Sequence, residues 1–216
     1  MDRRTREAIR YLGYGTHAID ERALGLIQQA FAVLDEGDDA KFTYRIFEIS
    51  KQDAHGVEIG NTYIESKQLA KNLKGCHKAI LFAATLGVSV DLQMKQCAVK
   101  EMTQAVVLQA CATAYLEEFC DACQKRLGAE LGDDLYLRPR FSPGYGDFSI
   151  LYQKELLQLL EAAKRIGLTM TDSYMLTPTK SVTAVIGISR ENTHCHQSGC
   201  EECTKTDCVY RRGEVC

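Results

Sequence analysis

The chain has 216 residues, 45% hydrophobic and 25% charged, a length and composition that suit one large or two small folded domains and exclude a disulfide mini-scaffold or a chain disordered throughout. Twenty-six basic against twenty-nine acidic side chains give a formal net charge of -3, without the basic excess that phosphate-backbone binding needs, so nucleic acid is not an expected partner. No apolar run reaches the roughly 18 residues of a membrane span, and the opening M-D-R-R-T-R-E-A-I-R-Y-L-G-Y-G lacks the apolar core of a secretion signal. The expected location is therefore the cytoplasm, where ten cysteines point to thiols or metal ligands before disulfides.

The N-terminal 40 residues read as two helices, the second capped by Asp20 and carrying Ala23, Leu26, Ile27, Ala30, Phe31 and Leu34 on one stripe until Gly37 stops it. Residues 41–49, with Phe42, Tyr44 and Ile46 in alternation, predict a strand. A short helix is expected over residues 66–73, ended by Gly75. The continuous apolar run at residues 79–86 suits a buried strand. From about residue 90 to residue 127 there is no proline, and Val99, Met102, Val106, Ala110, Tyr115, Phe119 and Leu127 recur at near-helical spacing, so one long helix or two in sequence are predicted. A strand at residues 136–140, a turn at Ser142-Pro143-Gly144-Tyr145, and an amphipathic helix over residues 148–166 closed by Gly167 follow. Strands at residues 171–176 and 181–188 flank Thr177-Pro178-Thr179-Lys180 and are expected to form a hairpin. Strands separated by helices of unequal length favour an α+β fold. The expected organisation is one domain over residues 1–190 followed by a cysteine-rich tail over residues 191–216.

Three motifs carry chemistry. Arg140-Phe141-Ser142-Pro143-Gly144-Tyr145 reads first as a structural turn. Its flanks also suit a small zwitterionic or cationic ligand, through an arginine at a strand end, a glycine that permits close backbone approach and a tyrosine with a π face and a hydroxyl. Cys120 and Cys123 form a C-x-x-C pair deep inside a helical pattern, far from the helix N-terminus that lowers a redox thiol's pKa, so they read as packing residues, as do Cys76, Cys97 and Cys111. His17, His55 and His77 are isolated and read as surface or core polar residues. Nucleotide-binding and serine-hydrolase fingerprints are absent. The tail places Cys195, Cys200, Cys203 and Cys208 at C-x(4)-C-x(2)-C-x(4)-C, a set that can wrap one metal centre, an iron-sulfur cluster or zinc, with His194 and His196 able to replace a thiolate. A flexible, disordered tail or fortuitous cysteines are the alternatives, and Cys216 reads as spare.

The stretch from residue 140 to residue 188 resembles the reactivation domain of cobalamin-dependent methionine synthase. R-F-S-P-G-Y matches that family's R-x-x-x-G-Y, and T-D-S-Y-M-L-T-P-T-K-S-V looks like its T-E-S-x-x-M-x-P-x-x-S-V block, in the family's order. The resemblance extends back through the long helix and the strand at residues 79–86. It implies a helix-flanked, twisted antiparallel sheet that binds S-adenosylmethionine and presents it for reductive methylation of cob(II)alamin, in the service of methionine biosynthesis. Arg140 would take the ligand carboxylate, Tyr145 would sit beside the ligand facing the corrin, and backbone around residues 141–144 would approach the adenosine. An acidic residue for the ligand's amino group has no motif here; Glu48 and Glu118 are the candidates.

The sequence departs from that family in three places. A free-standing chain implies a cobalamin-bearing partner in trans, a methionine synthase or related corrinoid protein. Thr177 replaces a large aromatic before the proline, and the cysteine tail stands where the family has a C-terminal extension. The electron donor is accordingly either an external flavoprotein or ferredoxin, or a cluster in the tail. Two other readings compete, a metal-binding adaptor that keeps the fold and an S-adenosylmethionine-dependent methyltransferase with another substrate.

Overall fold

The structure, a computed structural model, describes residues 1–14, 19–37, 39–132 and 134–191. These divide into two compact units, the first made of Met1–Asp39 with Val88–Phe119 and the second of Ala40–Gly87 with the described part of Cys120–Cys195.

The first unit is helical. Helices α1 (Arg3–Tyr11) and α2 (Glu21–Asp35) start at Asp2 and Asp20, whose carboxylates accept the Thr5 and Ala23 amides at 2.7 Å each, satisfying N–H groups the first turn leaves open. Arg4 binds both oxygens of Asp35 at 2.8 Å and lies over the Phe31 ring. Helix α4 (Val88–Lys100) is followed by α5 (Met102–Leu131), so the long helical pattern is two helices with the break at Glu101. Cys111 of α5 is fully buried beside the Ile27 carbonyl. The predicted stripe is not one buried face: Ala110 and Leu127 are buried, whereas Val99, Met102 and Val106 stand in solvent.

The second unit holds a six-stranded sheet with the order β3-β2-β1-β4-β8-β5, every neighbouring pair antiparallel. Its strands are β1 (Lys41–Gln52), β2 (Gly56–Ile59), β3 (Thr62–Glu65), β4 (Cys76–Thr85), β5 (Tyr136–Leu137) and β8 (Ser181–Ser189). Strands β4 and β8 are apolar on both faces, as central strands require, and pair in register from Lys78↔Ile188 to Thr85↔Ser181. One face packs on α3 (Lys67–Asn72), α6 (Gln153–Leu159) and α7 (Ala162–Ile166) through Leu69, Leu73, Leu81, Phe148, Leu156, Leu160 and Val185. Against the other face lies the later part of α5, with Arg126 over the Phe42 ring and Glu130 accepting from the Tyr44 hydroxyl. Among the described residues no helix is long and apolar enough to cross a membrane.

Three local expectations are corrected. The strand at residues 136–140 ends at Leu137; the Arg138 amide still donates to the Gly187 carbonyl of β8 at 2.8 Å, Pro139 has no N–H to continue the ladder, and pairing returns as the Phe141↔Val185 bridge. The helix over residues 148–166 is broken into a 3-10 turn (Ile150–Tyr152), α6 and α7. The Leu159 carbonyl, which a continuous helix would offer to residue 163, accepts the Arg45 guanidinium at 2.7 Å, and Glu161 takes φ +52°. The terminal hairpin does not form. Residues 171–175 are a loop joining β6 (Thr169–Met170) to β7 (Leu176–Thr177), a separate two-stranded sheet, while β8 pairs with β4 and β5. The β2–β3 hairpin is an additional element, without a counterpart among the expected strands.

Candidate functional site

The site is built on the loop that leaves the sheet at Phe141. There the backbone exchanges two hydrogen bonds with Val185, at 2.9 and 2.8 Å, pinning the loop's start to β8. Ser142-Pro143-Gly144-Tyr145 then forms the expected turn, closed by the Tyr145 amide donating to the Ser142 carbonyl at 3.2 Å. Proline stands at the second position and Gly144, at φ +90°, at the third, the combination a type II turn requires. Gly146 follows at φ +55° and Phe148 closes the loop, its amide bonded to the Tyr145 carbonyl and its carbonyl to the Gly144 amide.

Beneath the turn the rings of Phe141, Phe148 and Tyr152 form an aromatic floor, with centroids 6.2 and 5.8 Å apart. Phe148 is buried in the core, so folding the apolar core also sets the height of the turn. Ser142 and Pro143 are buried and Gly144 is exposed. Tyr145, at the tip, is 64% exposed.

Arg140 precedes the turn and points toward α5, its side chain 17% exposed. One terminal nitrogen donates to Asp121 Oδ1 at 2.8 Å and the other to Gln124 Oε1 at 3.0 Å. Asp121 and Gln124 are three apart on the helix and share one side of it. The guanidinium is thus held in place, with an acidic group beside it. Neither expected acid takes this position: Glu48 sits exposed on β1 in a 2.9 Å pair with Lys78, and Glu118 is exposed on α5. Asp121 lies between Cys120 and Cys123 on α5, and no local signal in the sequence ties it to Arg140, 19 positions away.

The second motif block surrounds a loop at residues 171–175. The Thr171 amide bonds to the Met175 carbonyl, the Thr171 hydroxyl receives the Met175 amide, and Tyr174 adopts φ +63°. Buried Gln153 ties this loop to the sheet, donating to the Tyr174 carbonyl at 2.8 Å and accepting from the Thr183 hydroxyl at 3.2 Å. Met175 is exposed, as are Ile150 and Leu151. In the adjoining segment Ser181 Oγ is 2.7 Å from both Thr85 Oγ1 and the Pro178 carbonyl.

The thiols of α5 are packing residues, whereas Cys97 of α4, expected to pack, is half-buried. Cys111, Cys120 and Cys123 are buried, and burial pushes the Cys111 thiol up to about 12 and the Cys123 thiol upward. No group of metal-ligating side chains occurs among the described residues. The tail cysteines 195, 200, 203 and 208, and His17, lie outside the described residues, whereas His55 and His77 are exposed.

A family model described as the activation domain of vitamin B12 dependent methionine synthase matches residues 69–211, a span that takes in both motif blocks and the four tail cysteines. No curated protein matches the chain. A solved structure, a crystal structure of the MetH reactivation domain bound to AdoHcy, is similar with a TM-score of 0.61 at 16% identity, over 85% of this chain and 75% of that one. The likeness extends to the arrangement of helices and antiparallel sheet.

Proposed function

The chain belongs to the activation-domain family of vitamin B12 dependent methionine synthase, and from that premise we propose that it binds S-adenosylmethionine at residues 140–145 and presents it to a cobalamin on a partner methionine synthase or related corrinoid protein. The observation that carries this reading is the turn itself. A held arginine stands at its foot, an exposed tyrosine at its tip, and two glycines of positive φ lie at and beside the tip.

The residues present fit such a ligand. An amino-acid carboxylate needs a guanidinium, and Arg140 supplies one already oriented by Asp121 and Gln124. The zwitterion also needs an acid near that arginine, and Asp121 supplies it in place of Glu48 or Glu118. Gly144 presents bare backbone on the exposed side of the turn, where a bulky ligand can approach closely. Tyr145 offers its ring to the face from which a corrin would dock, and exposed Met175, Ile150 and Leu151 provide further apolar surface for a macrocycle. When bound, S-adenosylmethionine supplies an electrophilic methyl group for reduced cobalt. The protein needs no nucleophile of its own, and its task is to bind, orient and exclude water.

Cys195, Cys200, Cys203 and Cys208 complete the proposal as ligands of one metal centre, an iron-sulfur cluster ahead of zinc, because reactivation needs a low-potential electron and zinc has no redox chemistry. An external flavoprotein or ferredoxin is the other source of that electron.

The test is reconstitution. A cob(II)alamin-loaded partner, a chemical reductant and methyl-labelled S-adenosylmethionine should give methylcobalamin only when this protein is added. Methylcobalamin formed equally without it would overturn the proposal.

A further inference from the structure

Two residues beyond Tyr145, Asp147 turns its side chain back to the start of α3. Its Oδ1 accepts the Ser66 hydroxyl at 2.5 Å and the Gln68 amide at 3.2 Å, and its Oδ2 accepts the Lys67 amide at 2.8 Å. Ser66 is itself buried and caps the Leu69 amide at 3.0 Å. These bonds hold the Asp147 carboxyl below the usual carboxylate range, the Ser66 hydroxyl contributing most. Between the tip and this anchor stands Gly146, where a Cβ would run into the Gln68 carboxamide.

From these contacts we infer that Asp147 is the positioning residue of the ligand loop, fixing Tyr145 in its presenting position by fastening the loop's descending arm to α3. The inference rests on the function proposed above. Among the described residues the arm's other hold is Phe148, buried in the core at its foot, while Gly144 and Tyr145 bond only within the turn, through Phe148 and Ser142. The ascending arm, by contrast, is held by Val185 at Phe141 and by Asp121 and Gln124 at Arg140. With only the buried Phe148 ring at the foot of this arm, the polar backbone above it would be freer and Tyr145 could swing, and the ordering would then have to be supplied by ligand binding. Held at both ends, it is ordered beforehand.

A capping carboxylate also stabilises α3, so the test must separate positioning from stability. Gln52 grips the other end of α3, donating to the Ala70 carbonyl at 2.9 Å, and Gln52→Ala serves as a destabilising control that leaves the loop untouched. Binding of S-adenosylhomocysteine is measured by calorimetry for the full chain, for Asp147→Ala, Asp147→Asn, Tyr145→Ala, Gln52→Ala and the double variant Asp147→Ala/Tyr145→Ala. Asp147→Ala should weaken binding about tenfold, the scale of one lost cap. Asp147→Asn, which keeps a carbonyl acceptor, should recover part of the loss, and Gln52→Ala should leave affinity unchanged. In the Tyr145→Ala background the Asp147 substitution should cost little more, because both act through the same ring.

Hydrogen exchange gives a readout without ligand: amides 144–146 should exchange faster in Asp147→Ala and not in Gln52→Ala. Unchanged affinity or exchange in Asp147→Ala, additivity in the double variant, or equal loss in Gln52→Ala would each overturn the inference. Failure of the unmodified chain to bind S-adenosylhomocysteine would instead overturn the proposed function, and this role with it.

Discussion

Replacing Arg140 with alanine tests the placement of the ligand carboxylate, and its two consequences separate by size. The guanidinium is 17% exposed and its partner Asp121 35% exposed, so the lost pair is one that water partly screens, worth at most about 1 kcal/mol to the fold. Asp121 left behind remains solvated, and the larger penalty of a stranded buried charge does not arise. A charge-assisted contact to a ligand carboxylate is worth about 1.5–3 kcal/mol, which at about 1.4 kcal/mol per decade is a ten- to hundredfold fall in affinity. Arg140 gives up part of its existing bond to Asp121 when the ligand arrives, which places the expected effect at the lower end. Arg140→Lys keeps the charge and loses the fork, so it should fall between. Calorimetry with S-adenosylhomocysteine, paired with a denaturation midpoint for each variant, reads both quantities. An Arg140→Ala protein that binds as tightly as the unmodified one would show the carboxylate lies elsewhere, and one that unfolds along with losing affinity would make Arg140 a structural residue.

Gly146→Ala should destabilise the protein by about 1–2 kcal/mol, since alanine must adopt φ +55° and meet Gln68; a urea midpoint no lower than that of the unmodified protein would refute this. Among the five described cysteines, Cys97 should alkylate first and Cys111, Cys120 and Cys123 last, as mass-spectrometric mapping after brief iodoacetamide treatment can check. The Cys111 thiol, ordinarily near 9, is pushed up to about 12 by burial. The folded state therefore keeps its proton longer than the unfolded chain, and this contribution is whole below pH 9 and lost as pH rises toward 12. Denaturation midpoints across that range should decline less steeply in Cys111→Ala, and equal slopes would count against the linkage. Anaerobic purification followed by metal analysis should find iron and sulfide in stoichiometric amount; zinc instead would favour a structural centre, and neither metal would sink the tail assignment.

Much of the scaffold was legible because its signals are local. Asp20 announces α2 through one capping bond, the unbroken apolar run at residues 79–86 announces a strand buried on both faces, and Pro143-Gly144 announces the turn. The β2–β3 hairpin also had a local signal, Gly60-Asn61 between Val57-x-Ile59 and Thr62-x-Ile64, both turn residues taking positive φ. The break at Glu161 had none, since it depends on Arg45 reaching the Leu159 carbonyl from 114 positions away. The partner of β8 was equally hidden: nearness along the chain suggested a hairpin with residues 171–176, whereas apolar surface on both sides sends it to the middle of the sheet. Within the site, the motif located Arg140 and Tyr145, but the contacts of Asp121 and Asp147 come from tertiary geometry that a single sequence does not encode locally.

The β4–β8 pair of the sheet joins segments made far apart in time. Thr85 and Ser181 stand 96 positions apart yet their hydroxyls touch, so during synthesis β4 emerges with β1 on one side and nothing for its other edge. Until β8 arrives, an apolar strand with open backbone groups is available to any neighbouring chain, the arrangement that folded proteins otherwise avoid at their margins. Products cut short before residue 181 should aggregate rather than accumulate as a stable partial sheet, and β8, the last-made strand among the described residues, becomes the step that commits the second unit to its native state.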